Sequence, residues 1–429
     1  MHTYNEAIQW IHDRLQFGIK PGLERMEFML AQLDNPERRI KAVHLAGTNG
    51  KGSTLSYMRY MLQEAGYEVG TFTSPYIEQF NERISVNGTP ISDDEITKLV
   101  QIVKPVAEKL CETDLGEATE FEIITVMAIY YFGCMNPTDI VLFETGLGGR
   151  LDSTNVIHPL VTIITNIGQD HQHILGETVQ EIAYEKGGII KNGVPIITAI
   201  EQLEALEVIT PIAKEKKAPL YVLGKEFMSE YKGQSEGGEA FSFSCAFGSL
   251  PHAELTMKGK HQVKNASLAL MAMHYLKTYF SILVDKEQME VALHKTFWLG
   301  RFEKVQDNPT VIIDGAHNPE GVKCLVDTLQ THYCDKRITI MFSAVSDKKI
   351  GEMVPMLEEL ADKMVFTSFD FYRALPAETL AEYASKEHVV YGDFKVAIDE
   401  TLAEIGENEI CVITGSLYFI SEVRKYMKK

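Results

Sequence analysis

The stretch HLAGTNGKGST, His44 to Thr54, decides the fold. It follows an apolar, partly β-branched run, Ile40 to Ala46, and leads into an amphipathic stretch from about Gly52 to Ala65. Leu55, Met58, Leu62 and Ala65 fall on one face at helical spacing, and Gly66 stands where such a helix would stop. Val69 to Thr73 has the composition of a second strand, so the segment reads as a βαβ unit. Gly47, Gly50 and Gly52, with Asn49 between them, let the backbone turn its N–H groups toward one point at the helix N-terminus. Lys51 adds a full positive charge there, and Ser53 or Thr54 adds a hydroxyl. These features suit the phosphates of a nucleoside triphosphate. The spacing departs from the G-x-x-x-x-G-K-[ST] pattern. Leu45 stands where the first glycine would be, and Gly52 directly follows the lysine. The plainer reading is a glycine-rich turn with an exposed lysine.

The same alternation continues outward. Ile140 to Phe143, Val161 to Thr165 and Val194 to Thr198 read as further strands, and Val263 to Tyr279 as a long helix. Ser229 to Gly248, rich in Gly and Ser, reads as an exposed hairpin or loop. Near Trp298 the pattern restarts, with strands expected at Val311 to Ile313, Ile338 to Phe342, Met364 to Phe366, Val389 to Tyr391 and Cys411 to Ile413. The fold class is therefore α/β in two domains. Residues 1–297 form a larger P-loop, mononucleotide-binding domain, and residues 298–429 a smaller Rossmann-like one. Ligands in such folds sit at the carboxyl ends of the strands.

The 429 residues carry a formal net charge of −19, which argues against broad nucleic-acid or anionic-membrane contact. Six scattered cysteines show no zinc-like spacing and read as reduced thiols. The first residues lack a basic start and an apolar core, and no run of about 18 apolar residues exists, so a cytoplasmic protein is expected.

Several residues carry chemistry with a plainer alternative beside it. Glu144 ends the apolar run IVLF, where a buried carboxylate is costly without a task. Glycines 146, 148 and 149 are expected to leave room for a ligand beside it; otherwise Arg150 satisfies it. Lys186 lies near a helix end, where pairing with a nearby glutamate is the simple account. Asp314 ends a strand as Glu144 does, and His317 sits in a tight turn completed by Pro319. Phe121 offers a stacking face, or is core of the next helix.

GTNGKGS resembles the phosphate loop of the folylpolyglutamate synthases and dihydrofolate synthases, relatives of the Mur peptide ligases of cell-wall synthesis. TFTSPYIEQFNERISVNG from Thr71, FETGLGGRLDSTNV from Phe143, TNIGQDHQHILG from Thr165 and EKGGIIK from Glu185 are similar in the same order. So are GKHQVKNASLAL from Gly259, LGRFE from Leu299, DGAHNPEG from Asp314 and TGSLYFISEV from Thr414. The resemblance thus covers nearly the whole chain. It implies an ATP- and Mg2+-dependent ligase that phosphorylates a folate carboxylate and lets the amine of L-glutamate displace the phosphate. It implies that Asn49, Gly50, Lys51, Gly52 and Ser53 hold the triphosphate and that Asn265 meets the adenine. Arg301 and Asp314 would reach the nucleotide from the smaller domain. Ser74, Glu144 and His171 would ligate magnesium, and Lys186 would be carboxylated, although the motif here has Gly187 where the family has alanine. His317 would lie near the acyl phosphate or the incoming glutamate, and Ser416 near that glutamate. Thr119, Glu120, Phe121 and Glu122, with Leu151, Asp152 and Ser153, would face the pterin of a reduced folate or of dihydropteroate. The family also suggests a monomer. Two other readings stay open: a ligase acting on a cell-wall nucleotide, expected to carry an additional N-terminal domain, and a non-catalytic nucleotide-binding regulator.

Overall fold

The structure is a computed structural model, and it describes residues 3–18 and 20–428. The chain divides into two compact units. The first comprises Met1–Glu230, Ser242–Ala253 and Lys264–Lys295; the second comprises Tyr231–Phe241, Glu254–Val263 and Thr296–Lys429. The second unit thus includes two segments well before residue 298, so the division is not a single cut in the sequence.

In the first unit eight strands form one sheet: β1 (Ala42–Ala46), β2 (Val69–Phe72), β3 (Ile84–Val86), β4 (Thr89–Pro90), β5 (Ile140–Glu144), β6 (Val161–Ile164), β7 (Ile196–Thr198) and β8 (Leu220–Val222). Their order is β4-β3-β2-β5-β1-β6-β7-β8. All neighbours from β2 to β8 run parallel, and β3 and β4 add an antiparallel edge. Every residue of β1, β2, β5 and β6 is buried, as expected of parallel strands covered on both faces. Strands β9 (Phe227–Gln234), β10 (Glu239–Cys245) and β11 (Gly248–Leu255) form a separate sheet where the sequence promised only a hairpin or loop.

The helix Lys51–Glu64 follows β1 directly and ends at Gly66, whose φ is +86°. Gly66 donates to Gln63 O and Tyr67 to Leu62 O, closing the helix end. This helix is buried beyond its four-residue stripe, because the helix Lys286–Lys295 packs against it. Helices Asp93–Cys111 and Glu120–Tyr130 cover another part of the core, and both begin with a capping box: Ser92 with Glu95, Thr119 with Glu122.

The second unit holds β12 (Glu303–Asp307), β13 (Thr310–Asp314), β14 (Arg337–Phe342), β15 (Lys363–Thr367), β16 (His388–Tyr391) and β17 (Glu409–Thr414). They are ordered β12-β13-β17-β14-β15-β16, parallel throughout except for β12. Helices Pro319–His332 and Ile350–Leu360 bury one side of the sheet, and Phe394–Glu404 and Leu417–Met427 the other.

Candidate functional site

In the first unit, four adjacent strands release their loops at one edge. The glycine loop follows β1, Ser74 follows β2, Glu144 ends β5, and Asn166 and His171 follow β6. The register sets Leu45 of β1 opposite Glu144 of β5, so the loop leaves the sheet beside that carboxylate. Lys51 Nζ lies 3.9 Å from Glu144 Oε1 and donates to the loop carbonyls of Gly47 at 2.9 Å and Thr48 at 3.4 Å. The Ser74 N–H donates to Glu144 Oε2 at 3.3 Å. Asn49 N–H donates to Asn166 Oδ1 at 2.9 Å, and Thr165 Oγ1 donates to Asn49 O at 2.5 Å. Asn166 and Thr165 therefore hold the loop from outside. Their only signal in the sequence was polarity at a strand end beside a phosphate loop.

Two glycines of the loop are required. Gly50 caps the helix at φ +84°, and a Cβ there would lie 2.3 Å from Asn265 Oδ1. A Cβ on Gly47, at φ +147°, would meet Thr165 Oγ1 at 1.9 Å. Asn265 is buried on the helix Lys260–Phe280, with its amide against the phosphate loop.

Glu144 is buried, and Arg150 does not neutralise it: the Arg150 guanidinium is bonded to Glu185 Oε1 at 2.8 and 3.1 Å. The room expected beside Glu144 is filled by the protein itself. A Cβ on Gly146 would meet the Phe121 ring at 2.5 Å; on Gly148, Leu175 at 2.7 Å; on Gly149, Ile189 at 2.9 Å. The glycines thus admit side chains and backbone, and that expectation is corrected. Phe121 itself is half-buried over Gly146, two residues from Glu144.

Lys186 is 4 % exposed, and among the described residues its ammonium has no hydrogen bond or ion pair. The pairing with a neighbouring glutamate does not occur, since Glu185 serves Arg150. Burial, then repulsion from Lys51, pushes the Lys186 amine down to about 7, with Asp170 and Asp152 opposing. A Cβ at Gly187, the departure from the family motif, would touch the Cδ1 atoms of Ile212 and Ile209 at 2.9 and 3.0 Å, the ends of flexible side chains.

The hard-oxygen set for magnesium is coherent in part. The Glu144 carboxylate and Ser74 meet at the ends of β5 and β2, and oxygen donors of this kind fit the ion. His171 adopts φ +52°, sparsely populated for a non-glycine residue, and its N–H donates to Asp170 Oδ1 at 2.9 Å. Among the described residues no three His, Cys, Asp or Glu side chains gather as a metal cluster.

The other expected residues of this unit serve the fold. Thr119 caps its helix, and Glu122 spends one oxygen on Thr119 N–H at 2.7 Å and the other on Arg25 Nε at 2.8 Å. Glu120 pairs with His12 at 2.8 Å. Asp152 is buried and accepts from Leu147 N–H at 2.8 Å, Thr154 N–H at 3.0 Å and the Thr154 hydroxyl. Burial raises its pKa, and these donors hold that rise back. Because the Thr154 hydroxyl gives its proton to Asp152, it must accept from His44 Nε2, 2.8 Å away. Burial pushes His44 down to about 3, so it stays neutral. Leu151 is half-buried, and Ser153 opens the short helix that Asp152 caps.

In the second unit the expected residues gather at the carboxyl ends of β13 and β17. Asp314, half-buried and raised in pKa by desolvation, accepts from Phe302 and Ala316 N–H at 2.8 Å each. Arg301 donates to Gly315 O at 3.4 Å. His317 Nδ1 lies 2.7 Å from Gly315 O, which fixes a proton on that nitrogen. Ser416 is buried and caps the helix Leu417–Met427 through Tyr418 N–H.

A glycine-lined phosphate loop beside a buried carboxylate, on a central parallel sheet, defines a P-loop nucleotide-binding protein, and the comparisons refine the class to Mur-type ligases. The family model for the Mur ligase middle domain matches residues 45–273, and that for the Mur ligase glutamate ligase domain matches residues 300–417. A dihydrofolate synthase/folylpolyglutamate synthase of Bacillus subtilis is 48% identical over 99% of each chain. The crystal structures of Mycobacterium tuberculosis folylpolyglutamate synthase complexed with ADP and AMPPCP align at a TM-score of 0.90 and 28% identity over 99% of each chain. E. coli FolC in complex with DHPP and ADP aligns at 0.90 and 26% identity, over 99% of this chain and 98% of that one. The chain belongs to the dihydrofolate synthase/folylpolyglutamate synthase family.

Proposed function

We propose that the chain joins L-glutamate to a folate with ATP, forming an amide through an acyl phosphate. The observation that carries this reading is the pairing of the Lys51 loop with Glu144 at the ends of adjacent strands, 3.9 Å apart, in a chain of this family. The relatives' names cover both dihydrofolate synthase and folylpolyglutamate synthase activity, so dihydropteroate and reduced folates are both proposed acceptors. The cell-wall alternative has no such support among these relatives.

In this reading the loop N–H groups from Asn49 to Ser53 and the Lys51 ammonium bind the β- and γ-phosphates, and Asn265 supports the loop at Gly50. Bound Mg2+ supplies charge neutralisation on the transferring phosphoryl group, with Glu144, Ser74 and His171 as its protein ligands. Arg301 and Asp314 serve the nucleotide, and His317 and Ser416 the glutamate end. Phe121 offers its face to the pterin.

Lys186 carries the further proposal of carboxylation. Its amine, held at about 7, is substantially neutral at physiological pH. The nitrogen lone pair attacks CO2, the N–C bond forms, and a proton leaves to solvent. The product is an anion, so repulsion from Lys51 becomes attraction. The enzyme is taken as cytoplasmic and monomeric; its six free cysteines and the lack, among the described residues, of a helix long and apolar enough to cross a membrane accord with the first.

Phosphate release with dihydropteroate or tetrahydrofolate, each with and without glutamate, tests the reading. Release that ignores glutamate would overturn it.

A further inference from the structure

The carboxyl edge of the second unit extends beyond Asp314 and His317. Its loops are laced together by backbone hydrogen bonds: Gly415 N–H to Ala316 O at 3.1 Å, Ser343 N–H to Thr414 O at 3.2 Å, Leu375 N–H to Ala344 O at 3.0 Å, and Ser346 N–H to Arg373 O at 2.9 Å. The loop after β15, which carries Arg373, is therefore part of the same rim as the turn that carries His317 and the helix cap at Ser416.

Arg373 stands in that rim as a prepared cation. The Phe371 and Tyr418 rings stack 4.4 Å apart at 19°. The guanidinium carbon lies 5.4 Å from the Phe371 and Tyr372 centroids and 5.8 Å from that of Tyr418. Such flanking fixes the plane of an arginine and lowers the entropy lost when it binds. Nη1 donates to Asp347 Oδ1 at 3.3 Å, a long bond. Nε has no partner, and no other hydrogen bond to the guanidinium is found among the described residues. A third of the side chain is open to solvent. A planar, pre-oriented fork with most donors unspent matches a carboxylate.

We propose that Arg373 binds a carboxylate of the incoming amino acid and so sets the preference for glutamate. The inference rests on the ligase reading above. It assigns to Tyr418 and Phe371 the role of holding the guanidinium plane.

The test is the KM for glutamate in the full-length enzyme, with ATP and reduced folate saturating, for Arg373→Met and Arg373→Lys. Losing a charge-assisted, bidentate contact predicts a rise of about 30-fold or more for Arg373→Met. Arg373→Lys, which keeps the charge and loses the fork, should rise by about 5-fold or more. The KM values for ATP and folate should stay within about twofold in both, which a general loss of structure would not allow. Glutamine and glutamate α-amide, offered to wild type and variants, identify which carboxylate is held: the analogue lacking it should lose its disadvantage in Arg373→Met. A glutamate KM within about twofold of wild type in both variants overturns the proposal; if Arg373→Met fails to fold, an unchanged value in Arg373→Lys does so alone. Wild-type enzyme with no glutamate-dependent phosphate release would instead overturn the ligase reading itself, so the two failures are told apart.

Discussion

Lys186 allows the electrostatics to be tested apart from turnover. An ordinary lysine, with its amine at 10.5, is neutral in roughly one molecule in 3,000 at pH 7; held at about 7, it is neutral in about half. The expected gain in reactivity toward CO2 is therefore about three orders of magnitude. The assay is the initial rate of carbamate formation at fixed dissolved 13CO2, trapped by O-methylation and read by peptide mass, from pH 5 to 10. The rate at Lys186 should be half-maximal near pH 7, and Lys186→Met should remove the labelled peptide. Lys51→Met, which removes the second cause of the shift, should move the midpoint up. A rate at Lys186 that still climbs above pH 9 would refute the reasoning. The sign for stability follows. In CO2-depleted buffer the unfolded chain holds this proton between about 7 and 10.5 and the folded chain does not, so stability rises with pH across that window. Lys186→Met should flatten that rise.

Glu122→Gln should destabilise the protein by about 3 kcal/mol, because it strands the buried Arg25. Its KM for folate should stay near wild type in thermal-melt and steady-state assays, since both Glu122 oxygens are already spent within the fold. Glu144→Gln keeps the shape and the contact from Ser74 but removes the charge; kcat should fall by about 100-fold or more with the melting temperature preserved. Gly50→Ala forces a side chain onto Asn265 at a left-handed backbone position, so its KM for ATP should rise by about tenfold, measured by phosphate release.

The legible parts of this chain were local. Strand, glycine turn and helix around Lys51 could be read because periodicity and turn chemistry act within a dozen residues, and Glu144 stood out as a charge ending an apolar strand. The helix Asp93–Cys111 has no counterpart in the sequence reading, and Glu120–Tyr130 has one only as the helix behind Phe121, although Ser92-x-x-Glu95 and Thr119-x-x-Glu122 carry the capping-box signature. What could not be read was tertiary. Nothing near Glu122 in sequence announces Arg25, 97 residues away, and nothing near Arg150 says that it takes Glu185 and leaves Glu144 to Lys51. The glycines after Glu144 looked like space for a ligand, because a sequence shows a missing side chain but not the Phe121, Leu175 and Ile189 that fill its place. The same holds for the rim at Arg373, where aromatic residues from a loop and from a helix distant in sequence meet a cation.

The most direct measurement is product mass with inorganic phosphate, using ATP, glutamate and either dihydropteroate or tetrahydrofolate. The account predicts one phosphate released for each acceptor that gains a single glutamate through an amide, and no release when either partner is withheld. Phosphate formed without glutamate, or acceptors returned unchanged while ATP is consumed, would contradict it.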